Sequence, residues 1–349
     1  MEMTGSRRIG WAAVPEHVRK AIEGLLGRRV AAAESLRGGF SEGLAARLRL
    51  DDGADVFVKA VSCATAPAVA GFHRREAGVA RRLPASVPAP RLLAVHDDGD
   101  WVALLFEHVA GALPAQPWRP ADFERVLAAA TGMARAVTPS PIAAADAARP
   151  RLRGWADLAG PGPRAALAGR EPWAAAHLDE LIALEAAPLE GGTLLHGDLY
   201  PFNVLLDGDR VRVVDWPHAW VGPAHADVLT LLSNAVLSGL DPQPHLAANP
   251  LTHDLDPREV DAFLAAHSGF LLRLAVTAGP GADPRLIDMA AALGGASLRW
   301  LRARADNAAR ARTAPVGRHR QSGNCSCQTS VTWQVNGTIC DRSTTLSTA

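Results

Sequence analysis

The stretch LLHGDLYPFNVLL, from Leu194 to Leu206, sets three polar side chains inside a segment that otherwise resembles protein core. These side chains are His196, Asp198 and Asn203, and apolar residues bracket them on both sides. A polar group in a core costs free energy unless it is hydrogen-bonded. The pattern therefore indicates a functional loop that its apolar flanks hold rigid.

The residues that follow predict a short hairpin behind this loop. Two apolar runs flank a turn at 207–209, and a tight turn between such runs pairs them as antiparallel strands. The hairpin brings its ends together, so Asn203, before the first strand, and Asp215, after the second, meet beside Asp198. Two hard oxygen ligands suit Mg²⁺. The remaining carboxylate can orient a hydroxyl and take its proton in phosphoryl transfer.

Upstream, the sequence predicts a mostly antiparallel sheet with one key helix. A first helix is expected over Val14–Leu26, and a second over Val69–Leu83 ends at a group of prolines. Between them we expect a strand, the Gly-rich turn GGFSEG at 38–43, and two strands, the second of which ends near Lys59. Two more strands follow the second helix, on either side of a DDGD turn.

The composition changes after Gly111, where long Ala- and Leu-rich helices begin. We therefore expect an N-terminal lobe over 1–110 and a helical lobe over 111–316. The last segment, 317–349, is rich in Ser, Thr and Cys, and we expect a disordered or non-native tail there. A small strand pair around 331–335 is the alternative. Three of the four cysteines lie in this tail, at spacings that do not favour a zinc site.

The overall composition excludes several classes of protein. The net charge of the 349 residues is zero, so charge gives no reason to expect nucleic acid or an anionic membrane as a partner. No apolar run has the length of a membrane span, and the first residues contain no signal-peptide core. We expect a soluble cytoplasmic protein with no obligate protein partner.

The order of these motifs resembles the aminoglycoside phosphotransferase family, whose members have the protein-kinase-like fold. HGDLYPFN at 196–203, followed by VVDWP at 213–217, is more similar to this family than to protein kinases, which carry H-R-D, D-F-G and A-P-E motifs. The resemblance implies a two-lobed α+β fold and transfer of the γ-phosphate of a nucleotide to a hydroxyl of a small molecule. It also implies ATP, with GTP as the alternative, and Mg²⁺ as the cofactors.

The resemblance also assigns roles to individual residues of the loop and hairpin. Asp198 matches the catalytic aspartate, and His196 matches the motif histidine that supports the loop. Asn203 and Asp215 match the metal ligands. Asp227 matches an aspartate that braces the loop, with a helix cap as the alternative.

The nucleotide-binding roles fall on the N-terminal half. Lys59 matches the lysine that contacts the phosphates, and Glu76 matches its carboxylate partner. Lys59 is one of only two lysines in a chain that otherwise uses arginine. A solvated strand lysine and a surface ion pair with nearby arginines are the alternatives for these two residues. The remaining residues that match nucleotide contacts are Gly38, Gly39, Ser41 and Gly43 in the turn, and Glu107 and Val109 in the hinge. An ordinary hairpin turn is the alternative for GGFSEG.

The sequence departs from the family pattern beside the metal loop. Tyr200 and Phe202 stand where the family commonly has His and Gly, and their rings either narrow the acceptor pocket or pack on it. The helical half contains seven acids that could bind an amino sugar, although acids are also ordinary on helix surfaces and caps. They are Asp241, Asp254, Asp256, Glu259, Asp261, Asp283 and Asp288.

Two other functions remain as alternatives. A nucleotide-binding pseudokinase that acts as a binding module would have the same fold, but the motif residues Lys59, Asp198, Asn203 and Asp215 are all present. A metal-dependent hydrolase built on His196 and Asp198 would require further histidine ligands, which the sequence does not place nearby. The acceptor is left open between an aminoglycoside and another hydroxylated or amino-bearing metabolite.

Overall fold

The computed structural model describes residues 8–36, 42–150, 152–279 and 281–313. The predictions for Gly38, Gly39 and Ser41 and for the tail at 317–349 lie outside the described residues. Residues 1–308 belong to one compact unit, which is not divided near Gly111. The boundary between two lobes at this position therefore stays a prediction.

The N-terminal part contains a five-stranded sheet in the order β1-β2-β3-β5-β4, in which each neighbouring pair is antiparallel. This confirms the predicted sheet with its key helix, α2. The strands are β1 (Val30–Ser35), β2 (Leu44–Leu50), β3 (Asp55–Ser62), β4 (Leu92–Asp97) and β5 (Trp101–Glu107), and the helices are α1 (Glu16–Leu26) and α2 (Pro67–Ala80).

Prolines explain where both helices begin. The first was expected from Val14, but α1 begins at Glu16 because Pro15 holds the preceding residue in an extended conformation. The second was expected from Val69, but α2 begins at Pro67, whose fixed φ suits the first turn of a helix.

The alternation of side chains along β3 decides which residues face α2. Val58 and Ala60 pack in the cluster that contains α1. Phe57 and Val61 pack on the other face, in the cluster that contains residues of α2. Because successive side chains of a strand point to opposite faces, Lys59 lies on the α2 side.

The C-terminal part is mostly helical and contains the largest hydrophobic cluster. Asp256 caps α9 by accepting a hydrogen bond from the N–H of Arg258, which confirms the expected helix start at this position. The helices are α3 (Pro120–Ala136), α4 (Pro161–Arg170), α5 (Pro172–Ala176), α6 (Leu178–Glu185), α7 (Ala226–Ala235), α8 (Pro242–Ala248), α9 (Pro257–Val276) and α10 (Pro284–Thr313).

Two short strand pairs hold the segment that contains the loop motif. Strands β6 (Thr193–Leu195) and β9 (Trp220–Gly222) pair before and after it. Strands β7 (Val204–Asp207) and β8 (Arg210–Val213) form the predicted hairpin. Within the part of the chain that the structure describes, no helix is long and apolar enough to cross a membrane.

Candidate functional site

His196 links the loop motif to the far end of the hairpin. Its side chain is fully buried. Its Nδ1 accepts a hydrogen bond from the backbone N–H of Asp198 at 3.2 Å, and its Nε2 lies 2.9 Å from the carbonyl oxygen of Val214. A neutral ring with its proton on Nε2 satisfies both contacts. The ring therefore fixes the loop relative to the residue before Asp215, which supports the predicted role.

Asp227 fixes the same loop from the first turn of α7. Its carboxylate accepts hydrogen bonds from the backbone N–H groups of His196, at 2.7 Å, and Gly197, at 3.0 Å. Burial raises the pKa of Asp227, although His196 and these hydrogen bonds favour the ionised form. The side chain thus braces the loop as predicted and does not act as a helix cap.

Gly197 is required by its surroundings. Its φ is +76°, and a Cβ at this position would lie 2.5 Å from the carbonyl oxygen of His218 and 2.8 Å from Cδ1 of Trp220. Both the backbone conformation and the available space exclude a side chain. The tight packing behind the loop explains why glycine stands where protein kinases have arginine.

Asp198 and Asn203 are in direct contact. The Nδ2 of Asn203 donates hydrogen bonds to the carbonyl oxygen and to the Oδ2 of Asp198, at 2.8 and 2.9 Å. The carbonyl oxygen of Asn203 accepts a hydrogen bond from the N–H of Val214 at 2.9 Å. The hairpin therefore closes as predicted, and it brings Asp198, Asn203 and the segment before Asp215 together. Because Nδ2 makes both side-chain contacts, Oδ1 of Asn203 is the atom that suits a cation.

Asp215 has a strained backbone at the end of the hairpin. Its φ is +68°, the left-handed region that residues other than glycine seldom adopt. Such strain persists where surrounding contacts enforce it, and it clusters at functional sites. The carboxylate lies 2.7 Å from Nζ of Lys59. Burial opposes ionisation of Asp215, but Lys59 holds its pKa below the usual range.

Lys59 lies between two carboxylates. Its Nζ is 2.5 Å from Oε2 of Glu76 and 2.7 Å from Oδ1 of Asp215. Burial alone would lower the pKa of Lys59, but the two carboxylates raise it above its ordinary value. Burial raises the pKa of Glu76 to about 7; Lys59 opposes this rise, and the negative charge of Asp215 adds to it. We call Lys59, Glu76, Asp198, Asn203 and Asp215 the charged wall.

Lys59 and Glu76 are too buried for the two alternatives, a solvated strand lysine and a surface ion pair. Side-chain exposure is 12% for Lys59 and 3% for Glu76. Glu76 also accepts a hydrogen bond from the N–H of Trp216 at 3.4 Å. Arg74, one of the arginines proposed as its surface partner, instead pairs with Asp97. The predicted lysine–glutamate pair is therefore present, while its contact with nucleotide phosphates stays a prediction.

The local structure requires a glycine at position 43. Its φ is +93°, and a Cβ there would lie 2.4 Å from the carbonyl oxygen of Ala60. Its own carbonyl oxygen accepts a hydrogen bond from the N–H of Ile9. Gly43 does not line the cleft, whereas its neighbours Glu42 and Leu44 do. Close packing against β3 thus accounts for this glycine without a nucleotide.

The predicted hinge lies just beside the cleft wall. Glu107 is the last residue of β5, and its N–H already donates to the carbonyl oxygen of Arg91 at 3.0 Å. Phe106 and Leu113 line the cleft, but Glu107 and Val109 do not. The N–H of Glu107 is thus already paired, and an adenine contact by the backbone near Glu107 to Val109 stays a prediction.

A cavity of about 950 Å³ contains the charged wall and extends to α9 and α10. Arg8 also lines it, and no motif in the sequence pointed to this residue. Its Nε is buried without a hydrogen-bond partner among the described residues. Burial lowers the pKa of Arg8, and the charge of Asp215 opposes that shift. Arg8 therefore adds a second cation to the part of the cleft around Asp215.

The donor set around Asp215 suits a metal–nucleotide complex better than a metal held by protein alone. Within the described ranges, no group of three or more His, Cys, Asp or Glu side chains could hold a metal ion. Asn203 and Asp215 offer two hard oxygen ligands, which matches Mg²⁺ bound through few side chains plus phosphate oxygens. The alternative of a metal-dependent hydrolase lacks a ligand set in this part of the chain.

Sequence comparison places the site in a known family. The family described as "Phosphotransferase enzyme family" matches residues 34–277, which include the loop motif, the hairpin, Lys59 and Glu76. No curated protein matches the chain.

Solved structures with a similar fold are phosphotransferases that bind nucleotides. A thermostable mutant of aminoglycoside phosphotransferase APH(4)-Ia, in a ternary complex with ADP and hygromycin B, has a TM-score of 0.52 at 18% identity, covering 81% of this chain and 98% of that one. A GDP and kanamycin complex of an APH(2″) enzyme has a TM-score of 0.53 at 12% identity, covering 84% and 99%. Amicoumacin kinase with AMP-PNP and Ca²⁺ has a TM-score of 0.51 at 12% identity, covering 82% and 95%. At these identities the likeness establishes the kinase-like fold.

Proposed function

This chain belongs to the phosphotransferase enzyme family, and we propose that it transfers the γ-phosphate of ATP to a hydroxyl group of a small molecule. The observation that carries the proposal is the charged wall, in which Lys59 contacts Asp215 while Asn203 holds Asp198. Fold alone would not support a reaction, because function depends on the site.

Asn203 and Asp215 would hold the metal. When bound, Mg²⁺ neutralises charge on the phosphate oxygens during transfer. The strained backbone of Asp215 and the hydrogen bond between Asn203 and Val214 fix both ligands relative to the hairpin. Pre-organised ligands need not reorganise during the reaction, which is the main source of electrostatic stabilisation in such sites.

Asp198 would act on the acceptor. Its carboxylate orients the acceptor hydroxyl and takes its proton as the oxygen attacks the γ-phosphate. The N–H contact with His196 and the amide of Asn203 hold Asp198 in place. Positioning of this kind turns a bimolecular step into an effectively unimolecular one.

Lys59 would neutralise charge on the phosphates of the nucleotide. In the structure its ammonium is held by Glu76 and Asp215. A metal on Asp215 would weaken the Asp215 contact and leave Glu76 as the anchor of the lysine. Arg8 lies in the same part of the cleft and would supply a further positive charge.

The alternative is a pseudokinase that binds nucleotide as an interaction module. The intact charged wall favours the enzyme, because a module that only binds nucleotide does not need a positioned carboxylate such as Asp198.

The test is phosphate transfer from γ-labelled ATP in the presence of Mg²⁺, with a panel of alcohols of different size, charge and polarity. We expect label in at least one acceptor, and a parallel reaction with labelled GTP determines the nucleotide preference. ATP binding without transfer to any acceptor or to water would favour the pseudokinase.

A further inference from the structure

The far side of the cleft is apolar. We call this surface the acceptor wall. The inference drawn from it rests on the proposed function, because the surface lines the same cleft as Asp198. It combines a residue of the loop motif with residues of α9 and α10. Its members are Phe202, Phe270, Leu274, Leu286, Met289 and Leu293. Phe202 is 38% exposed, so its ring offers apolar surface to whatever occupies the cleft.

No carboxylate belongs to the acceptor wall among the described residues that line the cleft. Glu76 and Asp215 are held by Lys59, and Asp227 accepts hydrogen bonds from the loop backbone. Glu42 belongs to the Gly-rich turn at 38–43 in the N-terminal sheet. Asp198 is thus the carboxylate nearest to the acceptor, and its role is to act on one hydroxyl.

The seven acids of the helical half lie elsewhere, which favours the alternative that they are ordinary surface and capping residues. None of them lines the cleft. Asp241 and Asp256 cap helices, and Glu259 and Asp288 are exposed. Asp261 and Asp283 form ion pairs with Arg304 and Arg285, and Asp254 contacts the ring of His253.

Tyr200 and His267 also line the cleft beside the acceptor wall, and together with Ser297 they satisfy one another's hydrogen bonds. The hydroxyl of Tyr200 lies 2.8 Å from Nε2 of His267, and Nδ1 of His267 lies 2.8 Å from Oγ of Ser297. Burial lowers the pKa of His267 to about 4, so the ring is neutral. The ring of Tyr200 also packs against that of Phe202. These polar groups are therefore paired within the protein, and they offer no carboxylate partner to an ammonium group in the cleft.

From this arrangement we propose that the acceptor is an alcohol with a largely apolar body, aromatic or alkyl, and not a polycationic amino sugar. Several ammonium groups would lose hydration against the acceptor wall without gaining carboxylate partners, which is unfavourable. An apolar body gains free energy from burial against the same side chains. Arg149, exposed at the cleft, adds a positive charge that also disfavours a polycation.

The test is calorimetric titration of the protein saturated with Mg²⁺ and AMP-PNP. The probes are 2-phenylethanol, 4-phenyl-1-butanol and 6-phenyl-1-hexanol, which differ only in apolar length, and kanamycin. We expect affinity to rise about tenfold for each pair of added methylenes, since burial of one methylene changes affinity about fourfold and contacts in the cleft are incomplete. We expect kanamycin to bind more weakly than the longest alcohol.

Two variants on α10 make the test specific to the acceptor wall. Met289→Glu places a carboxylate on the wall, whereas Ala292→Glu places one on the exposed side of the same helix. We expect Met289→Glu to flatten the rise in affinity with alcohol length, and Ala292→Glu to preserve it. A flat series in the unsubstituted protein, or tighter binding of kanamycin than of the longest alcohol, would overturn the proposal.

Failure of this inference is distinguishable from failure of the proposed function. If affinity rises with alcohol length but no label is transferred from ATP, the inference about the acceptor wall holds and the proposed enzymatic function is wrong. If label is transferred to kanamycin and the affinities of the alcohols do not rise with length, the proposed enzymatic function holds and this inference is wrong.

Discussion

The charged wall and the acceptor wall face the same cleft but differ in almost every physical respect. In the charged wall, Lys59 and Glu76 are buried and paired, and Asp198 is held by an amide. In the acceptor wall, Phe202 and Met289 present apolar surface, and none of the wall's own members is a carboxylate. Under the proposed function, we expect nucleotide binding to depend on fixed charge, and acceptor selection to depend on shape and apolar area.

The largest expected effect comes from the residue that lies between the two walls. Asp198→Asn keeps the size of the side chain but removes its basic oxygen, so we expect turnover to fall by about 10³-fold or more. Nucleotide affinity should change little, because Asp198 is not predicted to contact ATP. Asp209→Asn, in the exposed hairpin turn, is the matched control. Near-normal turnover in Asp198→Asn would contradict the assignment.

The next effect is the change in the protein's free energy of unfolding with pH, which the charged wall should cause. Burial raises the pKa of Glu76 from 4.5 in a free side chain to about 7, so the folded protein binds this proton more tightly than the unfolded chain. Its stabilising contribution is therefore present below pH 4.5 and is lost as the pH rises through 7. Relative to Glu76→Gln, we expect the free energy of unfolding to fall by about 2–3 kcal/mol between pH 5 and pH 8.

Denaturant unfolding of the unsubstituted protein and of Glu76→Gln, each at pH 5 and pH 8, measures this change. Subtracting the free energies of the two proteins at each pH removes the contribution of most other titrating groups. A difference that stays constant with pH would mean that Glu76 is fully ionised in the fold. The charged wall would then carry one more negative charge than the raised pKa of Glu76 implies.

A smaller effect should come from the shape of the cation at position 59. Lys59→Arg retains the charge but replaces a compact ammonium with a planar fork, so we expect kcat/KM for ATP to fall by an amount equivalent to about 1–3 kcal/mol. Lys59→Ala should be worse, and Glu76→Ala should be milder than either. The chain supplies its own control in Lys20→Arg, because Lys20 is the other lysine and lies exposed beside Glu16. A fully active Lys59→Arg protein would place the phosphate contact elsewhere.

The smallest expected effect is that of Arg8. Its guanidinium is only partly buried, so its attraction for phosphate is screened by solvent. We expect Arg8→Gln to raise KM for ATP about two- to fivefold at low salt, with kcat unchanged. Arg28→Gln, which removes an exposed pair with Asp52, should leave both constants as they are. An unchanged KM in Arg8→Gln would restrict the charged wall to the five residues defined above.

The two walls also differ in how far the sequence could predict them. Most of the charged wall could be predicted from the sequence, because Asp198 and Asn203 share one short stretch and a tight turn fixes where Asp215 must lie. Alternation along β3 then sets which face of the sheet Lys59 occupies. The positive φ of Asp215 was not predictable, because no feature of the sequence marks this aspartate for a conformation that usually favours glycine.

The acceptor wall could not be predicted because it is assembled only by folding. Phe202, Phe270 and Met289 come from a loop and two helices that have no common sequence pattern. The acids of the helical half suggested a cationic substrate only because the sequence does not show that they point away from the cleft. Arg8 was missed for the same reason, since the hydrogen bond between Ile9 and Gly43 that brings the N-terminal segment to the cleft is long-range.

The most direct test of the central claim, that the charged wall binds a metal–nucleotide complex, is the affinity for AMP-PNP measured by calorimetry with Mg²⁺ and with a chelator. Because Asn203 and Asp215 are the proposed metal ligands, we expect affinity to fall about tenfold or more when Mg²⁺ is removed. We expect the Asp215→Asn variant to lose most of that difference. Equal affinity with and without Mg²⁺ in the unsubstituted protein would contradict the assignment of the metal site and, with it, the proposed route of phosphate transfer.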